Sequence, residues 1–316
     1  MATFVDCGTA HTASAMMKMV VDVSLTPPFT QFYSCGFDDS VKIWRKNEGE
    51  YVSSEFPTIG KCLGLIAVNK NIFIGEESQD LLSGATRHAV VSYDINTKRC
   101  SEAYLDFSMP VSAMDVSADG NLFVAGAEDY VLKFRRDLNH EQIRDRRDLN
   151  GLPVNISCSP SSKYVVVSTS DGQVTVYEVI ELIQEKISFK TNRGFNVVEN
   201  DTSRMQCAWH PTGMNLYIPS DDGIIVVACR DWTKEKTLLP EGASMEEFSI
   251  CAISLEGRYL AAYSLSGNVY IYRTATYDLV STITLETPSV KVLSMVFDPI
   301  VDEDEQTYDL LLMDES

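Results

Sequence analysis

An all-β ring of repeated four-stranded sheets is the fold class that this sequence predicts, and three observations predict it. The helical period is almost absent, while short runs rich in Val, Ile, Tyr and Phe recur between clusters of Asp, Gly, Ser and Asn. That is the pattern of strands and turns. A strand–turn–strand unit recurs with its turn at residues 39, 88, 129, 172, 223 and 267, at intervals of 49, 41, 43, 51 and 44 residues. A second marker, at Ser117–Gly120, Ser159–Ser162, His210–Gly213 and Ser254–Gly257, advances by 42, 51 and 44 residues, in step with the first. Two markers in phase, at a period in the low to middle forties with four short strands per copy, describe a β-propeller blade of WD-repeat type.

The copies follow in order. The first (16–57) places an inner strand at Met16–Leu25 and a hairpin through Asp38-Asp39 to Trp44. The second (58–107) is weaker: counting back five residues from Tyr93 sets its turn at Arg87-His88, after a long loop over Glu76–Thr86. The third (108–149) turns at Glu128-Asp129 before Phe134, and the fourth (150–190) at Asp171-Gly172 before Tyr177. The fifth (203–240) turns at Asp222-Gly223, with Ala228 where the others have an aromatic, and the sixth (246–286) at Ser266-Gly267 before Tyr272. Asp38, Asp39, Asp129, Asp171, Gly172, Asp222, Gly223 and Gly267 are therefore expected as turn formers, because Asp and Gly tolerate the positive φ of a tight hairpin. The aromatic five residues later suits packing between neighbouring blades. The Gly-His and Trp-Asp dipeptides that name the repeat are missing, so the copies are divergent.

A seventh copy (288–316) starts at Val290–Pro299 and continues through an acidic loop into Tyr308–Met313. The expected architecture is a single propeller over residues 1–316 with seven blades, the last incomplete within this chain. Residues 2–7 are a possible clasp strand for it. Either the last blade stays short, or the natural protein continues past Ser316. An uncovered strand edge invites aggregation, which points to the second.

Composition excludes several classes. With 26 Lys+Arg against 45 Asp+Glu the formal net charge is −19. Binding to a phosphate backbone by counterion release needs a basic surface, so direct DNA binding by this chain is expected to be weak at most. Anionic lipid heads repel it too, and no run of 18 apolar residues spans a membrane. The closest of the eight cysteines are 22 residues apart, and the four histidines stand singly. No metal or redox motif results, and no cofactor is expected. No signal peptide is read at the N-terminus, and a reducing compartment, cytosol or nucleus, follows.

No catalytic motif is present either, and no enzyme activity is expected. Asp38, Asp129, Asp171 and Asp222 read as turn residues rather than acid/base catalysts. Phe134-Arg135-Arg136-Asp137 resembles the Phe-Arg-Arg-Gly tract of phosphoinositide-binding propellers, but its last residue differs and the chain is acidic. It reads as an exposed strand end. His210 reads as a turn residue. Arg230-Asp231-Trp232 ends a strand, and Arg230 with Trp232 could form a contact patch of the type that carries binding energy. The insert Lys190–Arg204 adds Lys190, Arg193 and Arg204 in an acidic protein and is a second contact candidate.

A family resemblance rests on particular residues. Met205-Gln-Cys-Ala-Trp209-His-Pro211, Leu216-Tyr-Ile-Pro219 and Arg230-Asp-Trp232 resemble the fifth blade of the N-terminal propeller of the chromosome-transmission-fidelity replisome adaptors, also called acidic nucleoplasmic DNA-binding proteins. Gly257–Ala262 with Ser264–Asn268 resembles its sixth blade, and Cys35–Asp38 with Val41–Trp44 its first. Blade two, with its long loop, departs from the pattern. The resemblance implies a nuclear, non-catalytic interaction module of a hub that couples the replicative helicase to the primase–polymerase, with roles in cohesion. It also implies that a trimerising second propeller, a helical partner-binding region and an HMG box would lie beyond residue 316. The alternative is a WD-repeat scaffold of another complex, such as a ubiquitin-ligase substrate adaptor or a signalling platform.

Overall fold

A computed structural model describes residues 18–21, 31–36, 38–47, 50–68, 71–80, 82–117, 122–127, 131–136, 145–179, 183–191, 205–286, 292–298 and 308–314. Among them, strands form six four-stranded antiparallel sheets and one two-stranded sheet. The expected clasp at residues 2–7 lies outside the described residues. The first strands of the sheets are Lys18–Val21, Lys61–Val68, Val111–Val116, Pro153–Cys158, Ala208–Trp209, Phe248–Ile253 and Val292–Phe297. Most lie beside the first strand of the next sheet, and Val292–Phe297 lies beside Lys18–Val21. The fourth and fifth sheets are joined by hydrogen bonds, with Trp209 Nε1 donating to Ser157 O at 3.1 Å. The arrangement is that of an all-β WD-repeat propeller.

The core is divided among the gaps between sheets. Tyr93 of the second sheet shares a buried cluster with Tyr33, Val41 and Ile43 of the first. Phe73 and Val90 of the second meet Val111 and Met114 of the third. Tyr177 of the fourth packs with Ala113 of the third, and Val166 and Val176 of the fourth with Trp209 and Leu216 of the fifth. Tyr272 of the sixth lies with Tyr217 and Ile224 of the fifth. Tyr263 and Val269 of the sixth face Met295 and Phe297 of the two-stranded sheet. That sheet supplies Leu293, Leu311 and Met313 to a last cluster with Phe32 and Trp44 of the first. Trp44, Tyr93, Tyr177 and Tyr272 are thus wedges on the preceding sheet, 5%, 2%, 5% and 1% exposed, while the fifth sheet has Ala228 at that position.

Turns repeat as well. Taking the end at which each first strand begins as the upper one, the second–third hairpins turn there. Asp39 has φ +54°, Gly172 +79° and Gly267 +86°. Asp171 Oδ1 accepts from Thr169 Oγ1 at 2.6 Å, and Asp38 Oδ1 from Ser40 Oγ at 3.1 Å. Gly223 (φ +124°) is the first residue of the strand Gly223–Ala228, paired with Ser220, so Asp221-Asp222 make that turn. A Cβ on Gly223 would stand 2.6 Å from Leu238 O. Asp129 lies outside the described residues.

The second sheet corrects the sequence expectation. Arg87 and His88 are not a turn; they pair with Ser78 and Glu77 inside the strands Asn71–Gln79 and Thr86–Asp94. Glu76, expected in a loop, is 3% exposed and accepts from the Tyr93 hydroxyl at 2.7 Å. That bond offsets the cost of burying a carboxylate and lets the ladder continue. The turn is instead Asp80–Ala85, where Asp80 Oδ1 accepts from Leu82 N at 3.0 Å and Ser83 N at 2.7 Å.

The junction between the first and last sheets carries a polar lock beside its apolar cluster. The Tyr51 hydroxyl lies 2.8 Å from Asp298 Oδ2 and 2.9 Å from Asp309 Oδ2, and Lys46 Nζ pairs with Asp309 Oδ2. Burial, then the hydrogen bonds and charges of Asp298 and Asp309, push the Tyr51 phenol far above its ordinary range. Partial burial pushes Asp309 up, but the hydrogen bonds from Lys46 and Tyr51 and the Lys46 charge outweigh it and hold the carboxyl below its usual value.

Two outcomes are expected. Leu311→Ala should lower stability by about 2–3 kcal/mol through the lost transfer energy and the cavity left behind, read as a lower urea midpoint. A depressed folded pKa at Asp309 means that its contribution is full above the unfolded value and is lost as pH falls through the folded one. Melting temperature should therefore fall less steeply with pH, between about pH 5 and pH 2, in Lys46→Met than in the wild type.

Candidate interaction surface

The described residues hold no group of three or more His, Cys, Asp or Glu side chains placed to bind a metal ion. Most of the described thiols are withdrawn from water, and Cys100 is the exposed one among them. Cys35, Cys62, Cys207 and Cys251 are buried, and burial pushes Cys207 and Cys229 up to about 12. Such thiols stay protonated near neutral pH and make poor nucleophiles.

The inner strands are stitched by single polar side chains. Asp115 Oδ2 accepts from Cys158 N of the next sheet at 2.7 Å. Asn155 Oδ1 accepts from Cys207 N at 3.4 Å. Gln206 Nε2 lies 3.1 Å from Cys251 O and 3.2 Å from Met295 O, reaching two sheets at once. Sequence reasoning missed these three. Their signal was a polar residue in, or just before, a short inner strand.

Of the five residues expected to contact partners, the three that are described do not come together. Lys190 is exposed at the upper end of the strand Ile183–Lys190. Next to it, Thr191 is buried and donates from Oγ1 to Gly172 O at 2.7 Å. Arg193 and Arg204 lie outside the described residues. Arg230 is exposed at the lower end of the fifth sheet, its Nε 3.4 Å from Asp231 Oδ2. Trp232 is a correction. Its residue takes φ +59° and its side chain is 8% exposed. The ring stands edge-on to Trp209 at 6.3 Å and to Tyr164 at 4.7 Å, in the gap between the fourth and fifth sheets. It packs the core and offers no surface to a partner. The same turn recurs at Lys98 and Tyr277, each with positive φ and each donating its N–H four residues back, as Trp232 does to Ala228 O at 2.8 Å.

His210 joins two lower turns. Its Nδ1 accepts from Thr212 N at 3.2 Å, so its Nε2 carries the proton and donates to Gly257 O at 3.1 Å. Gly257 has φ +78°, and a Cβ there would stand 2.8 Å from the His210 ring.

A pair of variants separates packing from surface. Trp232→Ala should destabilise by about 3–5 kcal/mol, whereas Arg230→Ala should change stability by less than about 0.5 kcal/mol. Denaturant unfolding of both variants measures the contrast.

The family model described as "WDHD1 first WD40 domain" matches residues 14–315. Minichromosome loss protein 1 of Schizosaccharomyces pombe is 24% identical over 193 residues, covering 61% of this chain and 23% of that protein. The WD repeat and HMG-box DNA-binding protein 1 of Homo sapiens is 23% identical over 246 residues, covering 78% of this chain and 21% of its own length. The protein of the same name from Xenopus laevis is 22% identical over 251 residues, or 77% and 21%. This chain therefore spans less than a quarter of the length of these relatives.

Proposed function

Because the chain belongs to the family of the WDHD1 first WD40 domain, we propose that it is a non-catalytic protein-interaction module of a nuclear DNA-replication adaptor. The observation that carries this reading is the match over residues 14–315 to a domain of that family. It is supported by the all-β sheets of the propeller type, packed through apolar clusters between neighbours. Within that reading the module helps to link the replicative helicase to the primase–polymerase, and residues 1–316 form one seven-bladed ring. Six four-stranded sheets, one two-stranded sheet and an apolar cluster in every gap support the count. Lys190, Arg193, Arg204 and Arg230 are its contact residues, with oligomerisation, if any, through regions beyond residue 316.

The printed names of two relatives refer to DNA binding and to an HMG box. The −19 charge of this chain argues against strong DNA binding by this module. The test is proximity labelling from the tagged protein in its native cells, synchronised in and out of DNA replication. Replication proteins should be enriched in replicating cells, and the isolated chain should bind duplex DNA with a Kd of about 10⁻⁴ M or weaker at physiological salt. Labelling that is identical in both populations and lacks replication proteins overturns the reading.

A further inference from the structure

Two neighbouring turns at the lower end of the ring present large apolar side chains to water. Met214 closes the turn that begins at His210 and is 64% exposed; Leu255, in the turn Ser254–Arg258, is 53% exposed. The turns are fixed to each other by the His210 Nε2 bond to Gly257 O, and positive φ at Gly213 and Gly257 sets their shape. They are preorganised before any partner arrives, which lowers the entropy cost of binding.

The charge around them is unlike that of the chain as a whole. Arg230, Arg258 and Arg273 are all exposed at this end of the fifth and sixth sheets. The carboxylates beside them already have partners in the fold, among them Glu235, whose Oε2 accepts from Asn215 Nδ2 at 3.1 Å, and Asp231, whose Oδ2 lies 3.4 Å from Arg230 Nε. Asp231 Oδ1 accepts from Thr233 Oγ1 at 2.7 Å, and Asp278 Oδ2 from Thr276 Oγ1 at 2.6 Å. Glu256 accepts from the Tyr308 hydroxyl. The upper end of the fourth to sixth sheets is the reverse: Asp171, Asp222, Glu241, Glu247 and Glu286 stand there, with Lys190 the one cation among the described residues. In a chain with 45 acidic and 26 basic side chains, three guanidinium groups flanking two exposed apolar residues form a distinct surface.

We infer that this lower face of the fifth and sixth sheets docks a partner segment in which acidic side chains flank apolar ones. Guanidinium groups pair with carboxylates in bidentate geometry. Met214 supplies an adaptable apolar contact, and Leu255 a second anchor. Complementary charge would speed encounter and set orientation, while the apolar pair slows release. A basic segment is disfavoured here by like charge and suits the upper end instead. This inference is independent of the replication reading, and either can fail without the other.

The test is fluorescence anisotropy on the whole protein with a labelled peptide in which aspartates flank a pair of leucines. A second peptide carries lysine in place of each aspartate. The acidic peptide should bind saturably, more weakly as salt rises, and the lysine peptide should not. Met214→Ser/Leu255→Ser and Arg230→Glu/Arg258→Glu should each weaken binding by about tenfold or more, with circular dichroism and melting temperature unchanged because all four side chains are exposed. Glu247→Lys at the upper end should leave it unchanged. The inference is overturned if the acidic peptide shows no saturable binding, if either lower-face variant binds as the wild type does, or if the lysine peptide binds equally well.

Discussion

Everything in this molecule depends on the wedge of side chains between one sheet and the next. A four-stranded sheet has two faces and cannot bury either by itself. Here the second sheet gives one face to Tyr33 and Ile43 of the first and the other to Val111 and Met114 of the third. The same holds around the ring, so no sheet owns its core. Stability is shared with neighbours, as in other repeat architectures, but closure removes the terminal units that an open array must cap. The junction between the first and last sheets is therefore under a constraint that no other junction bears, because chain connectivity does not hold its two sides together. Its combination of Trp44 stacked 5.9 Å from Phe32 with a Tyr51–Asp298–Asp309–Lys46 network answers that constraint.

The repeat was legible in the sequence because the wedge imposes it. An aromatic five residues past a turn suits the gap, and Trp44, Tyr177 and Tyr272 carry it plainly, while Ala228 in the fifth sheet shows that it is not obligatory. The second sheet shows where that rule stops. Its second and third strands run nine residues each, because Glu76 finds the Tyr93 hydroxyl inside the gap and the ladder need not end. Spacing from Tyr93 then points into the middle of a strand. The signal for the true turn was local: Asp80, Ser83 and Gly84 form an Asx-type turn, with Gly84 at φ +67°. Periodicity and turn chemistry disagreed, and turn chemistry was the better guide.

The surface was harder to read than the core. Trp232 beside an exposed Arg230 has the composition of a contact patch, and composition cannot reveal that a tryptophan at positive φ is swung inward. That conformation costs energy for a side chain with a Cβ. It persists because the indole fills the gap between Trp209 and Tyr164. The polar stitches were hidden for the opposite reason. Asp115, Asn155 and Gln206 look like ordinary strand residues until the neighbouring inner strand is placed beside them.

Charge adds a direction to a ring that is otherwise nearly symmetric about its axis. Hairpin turns at the upper end favour Asp at positions where a short acceptor must satisfy backbone N–H groups, so the fold itself draws carboxylates there. Lower turns use the same devices: Asp94 accepts from Asn96 N and Thr97 N, Asp231 accepts from Thr233 N, and Lys98, Trp232 and Tyr277 take positive φ. What separates the two ends of the fifth and sixth sheets is the set of side chains around similar turns, with Arg230, Arg258 and Arg273 exposed at the lower one. A net charge of −19 spread evenly would repel any acidic ligand; sorted between the two ends, it leaves one end able to hold one.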